Sequence, residues 1–576
     1  MLKPKSLTEF YELQVDVRIG FNQCYARWDE DAIKSHEISL DLRLRDEGLR
    51  FIDRYAGHHS LFYDPRIARH LNQASIERDS AVRWVKRYLA RGDFEKASQV
   101  AKNLRQSEES SFDWDNIDDP LYKADLLAAW GEALVHASAP EQEARSLLEQ
   151  AVLLLQNGHE EQVDESWRPT RILGRAHTYL GYLYRIQGRY GLALQENKRA
   201  LPYLKEVDIS EERANTLNNL AFLLALLGRV NLALHHIDQA LKMRQDMGRQ
   251  YPIALSLNTQ GRIHTLQDHP MWGEHKCREA LQIFEELQEP RGIALACNGL
   301  GFALRKRGDQ WKQAVYTPEE AEQFFQEASK IFQRAVYIFS EQVPEPIRLW
   351  EAYNELGSLY CDWGWLARRQ GDSHTALKYY DRSISYQKNA LKIAQKYDLQ
   401  FPISDSYDDL AQAYGDRGFL LEFMGKEERA QKSHRIAEKY LNRVVRIVPK
   451  ALHLVPGVGF REAQEPGEAY WLALGKVYLQ RGIWTFRRVD QSKSTDSELK
   501  DRLGDGIRYF TLATAYFQRY WPQSYAFDKT LLAFASRLGE AHVSAEMART
   551  IVQQVISEYR LNLDALFETI DNILGV

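Results

Sequence analysis

Three asparagines recur at one interval. Asn218, Asn258 and Asn298 lie 40 residues apart, and Asn354 takes the matching place in the next unit, at Asn-Glu-Leu-Gly. Thr178 and Asp408 hold the same position at the two flanks. Asparagine is a mediocre helix former because its side chain competes for backbone hydrogen bonds, so a column of it calls for a reason. Its carboxamide carries a donor and an acceptor, which can pair with the C=O and N–H of an extended peptide. Each such bond contributes only about 0.5–1.5 kcal/mol net, so neighbouring side chains must supply selectivity. One turn on, the neighbours are Tyr182, Phe222, Arg262 and Phe302, with Arg185 and Arg305 a further turn along. Aromatic faces beside arginines suit a peptide with apolar and acidic side chains. In the competing reading, the asparagines bond to the adjoining helix and set the pitch of the array.

Residues that could do covalent or metal chemistry are not arranged for it. No GxxxxGK[ST], GxGxxG or HExxH occurs, and Gly418–Lys426 has the wrong glycine spacing for a phosphate loop. Asp113, Asp115, Asp118 and Asp119 resemble the start of a calcium loop, but Asp118 stands where glycine is needed and Ala124 where glutamate is. They read as a solvated acidic loop. His235 and His236 are adjacent on a helix and diverge by about 100°, so they cannot easily share a metal. Cys297 sits at a helix core position and reads as a packed thiol. The cysteines (Cys24, Cys277, Cys297, Cys361) form no CxxC pair and no disulfide framework. No cofactor, no metal site and no enzymatic activity are expected.

The elements that position the asparagines repeat with them. Segments beginning at His177, Leu217, Leu257 and Cys297 align without gaps. Gly181, Ala221, Gly261 and Gly301 share one position; Gly188, Gly228 and Gly308 share a second, with Asp268 as the exception. Ala193 and Ala233 share a third, and Ala200, Ala240 and Ala280 a fourth. Each unit reads as two helices, a small residue allowing close packing and a glycine closing the turn. The register continues more loosely over Ala81–Leu104 and Leu127–Val152. Two later units, at Leu356-Gly357 and Leu410-Ala411, carry a seven-residue insertion, or about two helical turns. Leu474-Gly475 marks the last first helix, with its partner near Ile507–Arg519.

This order of residues, clearest in Leu180–Leu201, resembles the tetratricopeptide (TPR) repeat. The 40-residue period exceeds the usual one and is similar to that of kinesin light chains and of bacterial regulatory TPR arrays. The resemblance implies an all-α, right-handed TPR superhelix (an α-solenoid) of about nine helix pairs, with first helices lining a concave groove. Kinesin-light-chain-like arrays hold cargo peptides on an asparagine ladder, and the resemblance implies that role for Asn218, Asn258, Asn298 and Asn354.

The chain is expected to divide into an N-terminal segment (1–75), the array (76–520) and C-terminal capping helices (521–576). In residues 1–75 a helix, a strand–turn–strand pattern and a second helix start look like part of a winged helix, with an ordinary helical cap as the alternative. In large signal-transducing NTPases a winged helix of this kind adjoins a TPR arm as a spacer.

Composition bounds the function class. The 576 residues carry 75 basic and 80 acidic side chains, which gives no global electrostatic case for nucleic acid or acidic membranes. The 33 glycines and 17 prolines are few for this length, as a helical chain requires. The N-terminus lacks a signal-peptide core, and the longest apolar run, Leu220–Leu227, is far too short for a membrane span. A cytoplasmic, non-catalytic scaffold that binds a peptide or partner segment in its groove is the expectation. The alternatives are a sensor or adaptor arm of a bacterial signalling or defence system acting with an NTPase or protease, and a DNA-binding regulator.

Overall fold

A computed structural model describes residues 93–106, 120–156, 167–205, 211–248, 250–460, 468–489, 496–520 and 543–561, besides a few single positions. Residues 1–75, with the winged-helix reading, lie outside the described residues, as do the acidic loop at 113–119 and most of 521–576. The helices in chain order are α1 Phe94–Gln106, α2 Pro120–His136, α3 Glu141–Gln156, α4 Trp167–Ile186, α5 Tyr190–Lys205, α6 Glu211–Leu226, α7 Val230–Asp246, α8 Gln250–Leu266 and α9 Pro270–Glu286. They continue with α10 Pro290–Asp309, α11 Pro318–Tyr337, α12 Pro346–Arg369, α13 Ser373–Lys396, α14 Gln400–Phe423, α15 Glu427–Ile447, α16 Glu468–Val489, α17 Asp496–Tyr520 and α18 Ala545–Tyr559. Among the described residues the fold is all-α apart from one small hairpin. Strands β1 (Leu454–Val455) and β2 (Gly459–Phe460) pair antiparallel.

Two compact units meet between Tyr179 and Leu180. In the first, α2 and α3 pair through Leu127, Trp130, Leu147 and Leu148, all buried. The Trp130 indole donates to Ser98 Oγ of α1 at 3.1 Å, and Arg175 donates to Glu132 at 2.5 and 2.8 Å.

The second unit is a helical-repeat solenoid. From α5 onward each helix packs on the next, and first helices also contact one another: α6 touches α8, α8 touches α10, and so on to α16. In the regular repeats α8 and α9 each have 17 residues, or about 25 Å of helix. Gly188 and Gly228 close their turns at φ +74° and +72°, and Asp268 takes the same left-handed conformation at φ +61°. The sequence exception therefore preserves the geometry. Gly308 does not close a turn. It lies inside α10 with the Phe325 ring against it, and the turn is made later by Ala314 at φ +59°. The glycine survives there because an aromatic ring fills the space of a side chain.

The seven-residue insertion lengthens α12 and α14 to 24 residues each. Their turns fall at Gly371 and Gly425, both at positive φ, while Gly364 and Gly418 remain inside the helices against Tyr380 and His434. Around α10 the core is aromatic: Phe284 of α9, Phe325 and Phe332 of α11, and Phe339 just beyond α11 are all buried. A Cβ on Gly301 would lie 2.7 Å from the Phe332 ring. Gly301→Ala is therefore expected to destabilise the chain by about 1–3 kcal/mol, despite the better helix propensity of alanine. Thermal or denaturant unfolding would show it.

The second unit also curls back on itself. At the start of α16 the Ala469 N–H donates to the Gly188 carbonyl at 3.1 Å, and the Glu468 carboxyl faces the N–H groups of Tyr190 and Gly191 at the start of α5. At the end of α17 the Tyr520 hydroxyl donates to the Leu226 carbonyl at 2.6 Å. Beyond it, α18 packs Ala548 and Val552 against the end of the array.

Candidate functional site: the inner face of the array

The first helices α4, α6, α8, α10, α12 and α14 carry the residues singled out in the sequence. Four of these come together. The Arg185 guanidinium lies 4.6 Å from the Tyr182 ring centroid and 5.2 Å from that of Phe222, and Arg262 covers Phe222 at 4.5 Å. One column supplies the rings and Arg262, the other Arg185, and helical spacing brings them to one face.

Two residues missed in the sequence complete this cluster from α12. Arg348 donates to the Tyr182 hydroxyl at 3.1 Å and to Glu351 at 3.0 Å, and Arg262 also donates to Glu351. The inner faces of α4 and α12 thus touch directly, although 166 residues separate them. Neither Arg348 nor Glu351 falls in a 40-residue column, because the longer repeat shifts the register. No spacing signal could have found them.

Charge in this cluster is unbalanced. Glu351 serves three arginines: Arg262 and Arg348, with a smaller part from Arg185, hold its carboxyl below the usual range against the cost of its burial. Arg185 makes no direct ion pair among the described residues, although the Glu351 carboxylate attracts it from a distance. Burial lowers its affinity for its proton; Tyr182 and Glu351 oppose that, and the like charges of Arg348 and Arg262 add to it. The result is a desolvated guanidinium between two aromatic faces with positive neighbours.

Phe302 and Arg305 belong to a neighbouring network. Arg305 donates to Glu355 at 3.0 Å and Asp362 at 2.8 Å, and Lys312 joins Asp362 at 3.3 Å. Arg305 also lies 5.7 Å from the Phe302 ring. Here cations and carboxylates balance.

The asparagine column runs between successive first helices. Asn298 Nδ2 donates to the Arg348 carbonyl at 3.3 Å, and Asn354 Nδ2 donates to Asp405 at 3.4 Å. Asn218 Oδ1 accepts from Ser256 at 3.5 Å. Asn258 Oδ1 lies so close to Gly299 that a Cβ there would approach to 2.3 Å. Asn258, Asn298 and Asn354 are buried, and their Oδ1 atoms accept no hydrogen bond. Three orphaned acceptors at matching positions are unusual, since buried acceptors are normally satisfied. In the same column Asp408 also leaves Oδ1 without a partner.

Asp408 belongs to an acidic group with Asp405 and Asp409, answered by Lys476 from α16 at 2.9 Å from Asp405 and 3.7 Å from Asp408. Burial pushes the Asp408 carboxyl up to about 6, opposed by Lys476 and aided by Asp405. The folded chain then binds this proton more tightly than the unfolded one. The stability it contributes is fully present below about pH 4 and lost as pH rises through about 6. Asp408→Asn is expected to flatten the fall in melting temperature between about pH 4 and pH 7, with the gap between variant and parent changing around pH 6.

The described residues contain no helix long and apolar enough to cross a membrane, and no cluster of side chains able to hold a metal ion. The thiols of Cys277 and Cys297 are pushed up to about 12 by burial, which removes them as nucleophiles.

No family model matches the chain, and no curated protein matches it. Among solved structures it is similar to a Rap protein complexed with competence and sporulation factor, at 16% identity over 64% of this chain and 99% of that one, with a TM-score of 0.40. The apo quorum sensor NprR from B. thuringiensis matches at 15% identity over 75% and 96%, with a TM-score of 0.39. The Rap conjugation regulator of plasmid pLS20 in complex with the Phr* peptide matches at 14% over 66% and 98%, with a TM-score of 0.37.

Proposed function

We propose that the chain is a non-catalytic binding scaffold that takes an extended, carboxylate-bearing peptide on the inner face of its array. One observation carries the reading: Arg185 is a half-buried cation in no direct ion pair, over the Tyr182 and Phe222 rings and repelled by Arg262 and Arg348, with the nearby Glu351 carboxylate already engaged by those two arginines. A carboxylate beside it would remove the repulsion and form charge-assisted bonds of about 1.5–3 kcal/mol. Phe302 and Arg305 extend the same face, and Asn218, Asn258, Asn298 and Asn354 are the groups proposed to hold the peptide backbone. The Oδ1 atoms of the last three accept no hydrogen bond but are buried, so holding a peptide would require these carboxamides to turn toward the face.

Selection of linear decapeptides from an mRNA-displayed library on the intact chain tests this reading. The enriched peptides are expected to share an acidic side chain or a free carboxyl end. Arg185→Gln should weaken the best of them at least tenfold by calorimetry, with unchanged melting temperature. A library that yields no consensus, or one enriched in cationic peptides, overturns the reading; so does an affinity indifferent to Arg185.

A further inference from the structure

A second charged recess lies away from the inner cluster, between α13, α14 and α15. It is a cavity of about 550 Å³. Four cationic side chains line it (Lys388, Arg417, Arg429 and Lys432) and one carboxylate, Asp381. That carboxylate is already engaged. Arg417 Nε donates to Asp381 at 2.7 Å and its Nη1 donates to Ser433 Oγ at 2.7 Å, so the guanidinium plane is fixed. Lys388 stands 5.6 Å from the Tyr414 ring centroid. Arg429 and Lys432, near the start of α15, have no carboxylate in ion-pair range among the described residues. Three positive charges are left unanswered in one concave site, which concentrates potential there.

The remaining lining sets the ligand class. Ile384, Ile436 and the Tyr414 ring give the recess an apolar surface beside the charges. Its size is that of a small-molecule site, roughly 300–1,000 Å³. The Arg429 guanidinium can offer a phosphate dianion a fork of donors, and the Lys432 ammonium a point charge, beside the Arg417 guanidinium held by Asp381 and Ser433. We propose that this recess binds an organic phosphate of nucleoside-monophosphate size, its phosphate toward Arg429 and Lys432 and its base over the apolar surface. The proposal is independent of what the inner face binds.

Calorimetric titration of the full chain with AMP, in parallel with inorganic phosphate, tests it at low and high salt. AMP is expected to bind saturably, at least tenfold tighter than inorganic phosphate, and to weaken as salt rises. The exposed pair Arg429→Glu and Lys432→Glu together should weaken AMP at least tenfold with no change in melting temperature, while Arg185→Gln leaves it unaltered. Lys432→Arg should retain binding. The proposal is overturned if wild-type chain shows no saturable AMP binding, if inorganic phosphate binds as tightly as AMP, or if the double charge reversal changes nothing.

Discussion

Replacing Arg244 with methionine will destabilise the array by about 3–5 kcal/mol, the scale seen when one partner of a buried ion pair is removed. The arginine is only 1% exposed, near the end of α7. It donates to Ser256 Oγ at 2.8 Å, to Glu211 at 2.9 Å and to Asn215, so one guanidinium ties α6, α7 and α8 together. Without it, the Glu211 carboxylate keeps its desolvation cost and loses its counter-charge. Denaturant unfolding of R244M should show the loss directly. The double variant R244M/E211Q should recover part of it, because the carboxylate that faced Arg244 is then neutral. If R244M alone is as stable as the parent, the network contributes nothing net, and the helices are held by apolar packing.

The second large effect is expected at Ala469, where α16 meets the turn at Gly188. A Cβ on Gly188 would already lie 2.6 Å from the Ala469 methyl, so no room exists for a longer side chain. Ala469→Arg should break the backbone bond to Gly188 and strain the Tyr520–Leu226 bond, each worth about 0.5–1.5 kcal/mol. Overpacking adds about 1–3 kcal/mol. The expected result is an array that opens between α5 and α16, seen as a larger radius of gyration by small-angle X-ray scattering. Tyr520→Phe removes a single hydroxyl and should shift the same equilibrium in the same direction by a smaller amount. Unchanged scattering from both variants would mean that the closure does not depend on these contacts.

Much of this architecture was legible in the residues. The glycine at positions 188 and 228 marks a left-handed turn that only the chain's local conformation requires, and Asp268 could be placed by register alone. Gly308 misled because a glycine opposite an aromatic ring and a glycine in a turn are identical in sequence. The inner site was half legible. Tyr182, Arg185, Phe222 and Arg262 sit in columns, and columns share a face. Their partners Arg348 and Glu351 come from the far side of the curl, in a unit whose insertion breaks the period. The curvature that joins them is a sum of small packing angles over many repeats, and no short window of sequence encodes it. The asparagines were visible at once, yet the choice between backbone ligand and interhelical strut depends on burial, which spacing does not report.

The closure has a kinetic consequence. Contacts in a linear repeat array span neighbouring units, so such chains zip from any point and fray from either end. The Tyr520–Leu226 bond instead joins residues 294 positions apart. The entropy of closing a loop grows as the logarithm of its length, so that bond can form cheaply only after the intervening helices have already stacked. It is then expected to be among the last contacts made in folding and the first lost on heating. Amide hydrogen exchange should report it as the least protected seam of an otherwise slow-exchanging core, opening without unfolding the repeats on either side.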